Sequence, residues 1–244
     1  MFSNSQITKI EEHLFIGTRV ASEDCQTIMQ HGIGATVTLL ALPRPFWEAT
    51  LPKTLETLIP NDARLYIQCQ DEASFDFLSH FDEICDFIEK HTKTPEMTEE
   101  ILDATERLAP GKFDERLLKP KNVLVHCQMG ISRSTTAVIA YLMKKRRQSY
   151  LTVYQDVKSL RIQSEPRWAF VHQLRLWEKL DYELYKDGKK KEEYVKYLEL
   201  HAQLCQGLEQ GLKDGAIIKI DENWCRPLLE CEAGASDTTP KEAA

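Results

Sequence analysis

The chain has 244 residues, enough for one well-buried domain with appendages but short of two comfortable ones. At 42% hydrophobic and 28% charged, with no apolar run near bilayer-spanning length, the composition excludes a membrane-spanning reading. A net charge of -7 excludes a general nucleic-acid binder, which needs a basic footprint to neutralise backbone phosphates.

Met1 to Ile10 carries no basic flank followed by an apolar core, so a secretory signal is not expected and an intracellular location, cytoplasmic or nuclear, is. Seven cysteines (Cys25, Cys69, Cys85, Cys127, Cys205, Cys225 and Cys231) are scattered without C-x-x-C spacing, which predicts free thiols and no metal.

In chain order, Leu14-Phe15-Ile16 before Gly17 reads as a strand. Ser22 with Glu23 and Asp24 then opens a helix, and β-branched Thr36-Val37-Thr38 forms a second strand. Four prolines, Pro43, Pro45, Pro52 and Pro60, predict a long surface excursion without regular structure, with Phe46 and Trp47 as anchors. A short strand at Leu65-Tyr66-Ile67 follows, then the loop Cys69 to Ser74. Phe77, Leu78, Phe81, Ile84, Cys85 and Ile88 recur at helical spacing and predict a core-facing helix to about Lys90.

Residues 91 to 120 read as a polar insertion, with Thr94-Pro95 starting a helix, Glu99 to Leu108 forming it and Pro110-Gly111 stopping it. Val123-Leu124-Val125 is short and continuously apolar, as suits a strand buried on both faces. A nearly all-apolar helix is predicted over Thr135 to Met143, ending in Lys144, Lys145, Arg146 and Arg147. Further helices are expected from Thr152 to about Leu160 and from Pro166 to about Tyr185. Tyr194, Leu198, Cys205, Leu208 and Leu212 predict a C-terminal amphipathic helix within 186–215, before a flexible tail over 216–244.

Between the Val123 strand and the Thr135 helix stands His126-Cys127-Gln128-Met129-Gly130-Ile131-Ser132-Arg133-Ser134. Successive backbone N–H groups in such a turn converge on one point, and a helix N-terminus adds partial positive charge, so a phosphoryl dianion can be held there. Gly130 permits backbone angles that other residues resist. The same positive environment favours thiolate, the nucleophilic form of cysteine. Arg133 offers a planar fork for two phosphate oxygens, which lysine cannot match.

Taken singly these residues have ordinary readings: Cys127 as a core residue, His126 as a satisfied core histidine, Ser134 as a helix cap. Cys69, two residues before Asp71, reads as a small buried hydrophobe rather than an oxidation partner of Cys127. The Lys144 to Arg147 run reads as a solvated helix end favoured by the dipole. Spacing gives the cysteine segment its weight.

That segment resembles the H-C-x-x-G-x-x-R-S signature of cysteine-dependent phosphatases, and its Gly130-Ile131-Ser132-Arg133-Ser134 ending is similar to the dual-specificity members. The resemblance runs from Ile7 to about Leu180, with Arg161 and Gln173 fitting as fold supports, and the 91–120 insertion departs from it. It implies an α/β fold with a central, mostly parallel twisted sheet flanked by helices on both faces, in a catalytic domain spanning 5–185.

The resemblance also implies a reaction without cofactor or metal. Cys127 is then the nucleophile and Arg133 the phosphate clamp. Gln128, Met129, Gly130, Ile131, Ser132 and Arg133 form the phosphate loop. Ser134 stabilises the departing thiolate, and His126 acts in support. A loop aspartate is to serve as general acid and base. By position Asp71 matches it, with Glu72 and Asp76 as nearby alternatives.

The expected substrate is a protein carrying phosphotyrosine, phosphoserine or phosphothreonine, with no nucleic-acid or membrane partner and an open oligomeric state. Two other readings stand beside it: a phosphatase of a non-protein monoester such as a phosphoinositide, RNA end or glycan, and a phosphoprotein-binding module without turnover. Uncharged Gln128, Met129, Ile131 and Ser132 weigh against a lipid substrate, and the presence of both Cys127 and Arg133 weighs against a binding module.

Overall fold

The computed structural model describes residues 6–94 and 119–213. The helix expected over Glu99 to Leu108 and the tail beyond Lys213 lie outside the described residues.

Five strands form one sheet in the order β1-β2-β5-β3-β4: β1 (Ile7–Glu11), β2 (Leu14–Thr18), β3 (Ile33–Leu40), β4 (Arg64–Gln68) and β5 (Asn122–Cys127). Only the β1–β2 pair is antiparallel, and the β2–β5, β5–β3 and β3–β4 pairs are parallel. β5 is last in sequence but central in space, flanked by β2 and β3. Val123, Leu124 and Val125 are accordingly inaccessible to solvent, which explains a strand with no polar alternation. Each such side chain contributes roughly 1.5–3 kcal/mol by burial.

Helices flank the sheet on both faces. α1 (Arg19–Glu23) packs on β2 and β5, and α2 (Cys25–Gln30) packs on β3. α5 (Phe81–Thr92) and α6 (Arg133–Arg146) pack on β5 and on each other. α6 is the hub of that layer, buried from Arg133 to Met143 and covered by α7 (Tyr150–Leu160) and α8 (Trp168–Lys179).

Several expectations need correction. The start of the first helix is set by Thr18, whose side chain accepts from Ala21 N–H, and Asp24 caps a separate helix by accepting from Gln26 and Thr27 N–H. The proline-rich excursion is not irregular. Pro43 and Pro52 each precede a short helix, α3 (Arg44–Glu48) and α4 (Lys53–Leu58). A proline's missing N–H is no loss at a helix start, so these residues initiate helix rather than break it. Trp47 and Leu55 anchor both helices in the core.

The helix expected to reach Tyr185 stops at Lys179, because Asp181 and Tyr182 turn left-handed. Residues 185–190 then form a two-stranded hairpin, Tyr185–Lys186 with Lys189–Lys190, turning at Asp187 (φ 51°) and Gly188 (φ 73°). Helix α9 (Glu192–Lys213) follows, and Tyr194 and Tyr197 join the main core.

Candidate active site

Parallel pairing aligns the carboxyl ends of β2, β5 and β3, and the chain leaves β5 at Cys127 in the crevice where the strand order reverses. Residues 128–132 make the turn into α6. Gly130 sits at φ 68°, and an added Cβ would come within 2.7 Å of Gly17 O. The turn therefore requires glycine for both its angle and its close approach to β2.

Outward-facing carbonyls of this loop are satisfied from behind. Gln128 O accepts from Arg19 N–H at 3.3 Å, and Ile131 O from Glu165 N–H at 2.9 Å. Gly130 O accepts from Arg161 Nε at 2.9 Å. On the inner side Gly130 N–H donates to Cys127 Sγ at 3.2 Å, and Ser134 Oγ lies 3.3 Å from the same sulfur. Cys127 is buried by this cradle, while Gln128 and Met129 stand exposed at its mouth.

The Arg133 guanidinium is fixed by the sheet edge. Its Nη1 donates to Cys69 O at 2.9 Å and to Leu39 O at 3.3 Å, at the ends of β4 and β3. Among the described residues its Nε has no hydrogen-bond partner, and it faces Asp71 Oδ2 at 3.8 Å. A buried guanidinium N–H without a protein acceptor has the chemistry to donate to an anion.

Asp71 comes to the same place from the loop after β4. Its Oδ1 accepts from Ser132 Oγ at 2.9 Å and lies 3.4 Å from Arg167 Nε. Asp76, an alternative by sequence, points elsewhere: its Oδ1 accepts from Ser79 N–H at 3.2 Å and from the Tyr197 hydroxyl at 3.0 Å. An open groove of about 490 Å³ beside the cradle is lined by Asp71, Ser132, Arg167 and Trp168 among others.

His126 is fully buried, with Nε2 2.7 Å from Thr38 Oγ1 and the Trp47 ring 5.9 Å away. Burial pushes its pKa down to about 3, and the charges of Arg19 and Arg133 push the same way. It is thus a neutral brace under the cysteine. Cys69 is also fully buried, its thiol donating to Gln70 O at 3.6 Å, and burial pushes its pKa up, so it stays a neutral thiol.

Cys127, Gly130, Ser132, Arg133, Ser134 and Asp71 are therefore brought together. Arg161, expected as a fold support, is almost wholly buried and links Gly130 O to Thr8 Oγ1, the latter through Nη1 at 2.8 Å. Arg167 is the neighbour of Asp71 that sequence reasoning missed. Arg167, beside Asp71, carries no signal beyond following Pro166. The basic run at the end of α6 is occupied internally: Lys144 pairs with Asp82, Lys145 and Arg146 with Glu11, and Arg147 with Asp181. Among the described residues no cluster of three or more His, Cys, Asp or Glu could hold a metal.

The chain is similar to known proteins in sequence and in fold. The family model described as "Dual specificity phosphatase, catalytic domain" matches residues 112–180. The chain is 30% identical over 176 residues to "Dual specificity protein phosphatase MPK-4" of Drosophila melanogaster, covering 71% of this chain and 36% of that protein. It is 28% identical over 174 residues to "Dual specificity protein phosphatase 1B" of Arabidopsis thaliana, covering 71% and 82%. In fold it is similar to the Yvh1 phosphatase domain from Chaetomium thermophilum, with TM-score 0.53, 24% identity and coverage of 71% and 94%.

Proposed function

We propose, from the premise that this chain belongs to the dual specificity phosphatase family, that it hydrolyses phosphomonoesters on proteins through a phosphocysteine intermediate. One observation carries the reading. The Cys127 sulfur sits in a cradle with Gly130 N–H and Ser134 Oγ at 3.2 and 3.3 Å, while the adjacent Arg133 keeps an N–H without a hydrogen-bond partner among the described residues beside Asp71.

Phosphate oxygens take the loop amides and the Arg133 fork, and the Cys127 sulfur attacks phosphorus from below. The P–S bond forms as the ester P–O bond breaks, and Asp71 gives its proton to the departing oxygen. Ionised Asp71 then takes a proton from water as that water attacks phosphorus. The P–S bond breaks, inorganic phosphate leaves, and the Ser134 hydroxyl donates to the returning thiolate. His126 stays neutral and takes no part in proton transfer. Exposed Met129 at the mouth and the open groove by Trp168 support a macromolecular substrate presenting its phosphoresidue on a surface.

Hydrolysis of an aryl phosphate with chelator present tests the reading, followed by phosphotyrosine, phosphoserine and phosphothreonine peptides. Cys127→Ser should be inactive. Asp71→Asn should lose roughly 10²–10⁴-fold in kcat, the usual worth of general acid–base help. A folded parent no faster than Cys127→Ser on every substrate would refute turnover.

A further inference from the structure

The loop that carries Asp71 is pinned at several points, and they come from two different layers. At its start Cys69 N–H donates to Leu40 O, and Cys69 O accepts from Arg133. From the core side, Gln173 on α8 spans the loop's far end. Its Nε2 donates to Phe75 O at 3.0 Å and its Oε1 accepts from Leu78 N–H at 2.7 Å.

From the outer side α9 meets the residues in between. Tyr194, Tyr197, His201 and Cys205 fall on one helical face. The Tyr197 ring stacks on that of Tyr194 (centroids 6.4 Å, 15°) and on that of His201 (5.6 Å, 29°). The polar ends of two of them go to the loop: the Tyr197 hydroxyl donates to Asp76 Oδ1 at 3.0 Å, and His201 Nε2 donates to Ser74 O at 2.8 Å. Cys205 Sγ adds a weak contact to the same carbonyl at 3.8 Å.

Burying the tyrosine ring would by itself anchor the helix. That role does not require a hydroxyl on Asp76 or an imidazole on Ser74 O, three to five residues beyond Asp71. We infer that α9 is a brace for the acid loop, with Tyr197 and His201 acting as positioning residues for Asp71. The inference rests on the reading of Asp71 as general acid.

Asp71 is held through its side chain by Ser132 and Arg167, and Glu72 O accepts from Phe75 N–H, so the backbone of Asp71-Glu72-Ala73 follows where Ser74 and Asp76 are held. Releasing the outer pins lets the carboxyl drift from the leaving oxygen, and a displacement near 1 Å can cost roughly 10²-fold. Phosphate binding at the cradle, held by α6 and the sheet, is untouched. The brace therefore acts on kcat for substrates that need protonation and spares KM.

The test uses the full chain with Tyr197→Phe and His201→Phe, singly and together. Both changes keep the stacked rings and remove only the polar contacts. Phenyl phosphate, a poor leaving group that needs the proton, is compared with 4-nitrophenyl phosphate, a good one that needs it less. In the double variant kcat for phenyl phosphate should fall about tenfold, a fraction of the roughly 10²–10⁴-fold worth of the acid. Its kcat for the nitrophenyl ester should fall less, KM should hold within about twofold, and the pair should add nothing in an Asp71→Asn background.

An unchanged phenyl phosphate rate in the double variant overturns the brace. So does an equal loss on both esters, or a loss that persists undiminished in Asp71→Asn, since either marks a general structural effect. If Asp71→Asn itself turns over phenyl phosphate at the parent rate while Cys127→Ser is inactive, the acid assignment fails first and the brace fails with it.

Discussion

Gly130→Ala separates two reasons why a loop demands glycine. At φ 68° any other residue pays left-handed strain of about 1–2 kcal/mol. The added methyl would also lie 2.6 Å from Arg161 Nη2, 2.7 Å from Gly17 O and 2.9 Å from Gly17 C. Reaching ordinary contact at 3.4 Å from Gly17 O requires a shift of about 0.7 Å (3.4 minus 2.7) against backbone of β2. Overpacking of that kind costs about 1–3 kcal/mol, for a total near 2–5 kcal/mol.

The same shift drags Gly130 N–H off Cys127 Sγ, so kcat/KM on an aryl phosphate should fall by roughly 10²-fold. Gly188→Ala is the control, because its φ is 73° but nothing lies within 4 Å of the added carbon. It should cost only the strain of about 1–2 kcal/mol and leave kcat/KM unchanged. Urea unfolding and steady-state kinetics on both variants decide the matter. A Gly130→Ala enzyme within twofold of the parent, or no less stable than Gly188→Ala, would refute the close-approach argument.

Two further predictions follow from buried polar groups. Arg161→Lys keeps the charge but cannot reach both Gly130 O and Thr8 Oγ1, so kcat/KM should fall about tenfold, with roughly 1–3 kcal/mol of stability lost through unsatisfied buried acceptors. Parent-like kinetics in that variant would mean that charge alone matters. For His126, the folded pKa of about 3 lies below the unfolded value of about 6.5, so the unfolded chain binds the proton first as pH falls. Stability is therefore lost progressively below about pH 6.5, by about 2 kcal/mol at pH 5 from this group. His126→Asn should flatten the change in unfolding free energy between about pH 7.5 and about pH 5, and an unchanged slope would show the imidazole is not its source.

The sheet and the cradle were legible because short-range patterns set them. Val123-Leu124-Val125 has no polar alternation, as suits a strand buried on both faces, and nine consecutive residues hold the candidate nucleophile Cys127, the glycine turn and Arg133. What was illegible depends on distant parts of the chain. Pro43 and Pro52 look like breakers until a helix starts after each, a distinction made by the burial of Trp47 and Leu55. Nothing local shows that Ser132, placed where a serine would cap its own helix, gives its hydroxyl to Asp71 sixty-one residues away. Asp71, Glu72 and Asp76 stand close together in sequence, and the contacts that set Asp71 and Asp76 apart, with Ser132, Arg133 and Arg167 for the one and Tyr197 for the other, come from far along the chain.

The site consequently has one half on the sheet and one on a loop. Cys127, Gly130 and Arg133 are held by β2, β3, β5 and α6, with outward carbonyls tied and side chains buried, so the candidate cradle is fixed by the core. Asp71 stands on a loop tethered to α8 and α9, and its carboxylate faces the Arg133 Nε–H at 3.8 Å. On the proposed reading that N–H goes to the phosphoryl oxygen, and the tethers on the loop keep Asp71 within reach of the leaving oxygen.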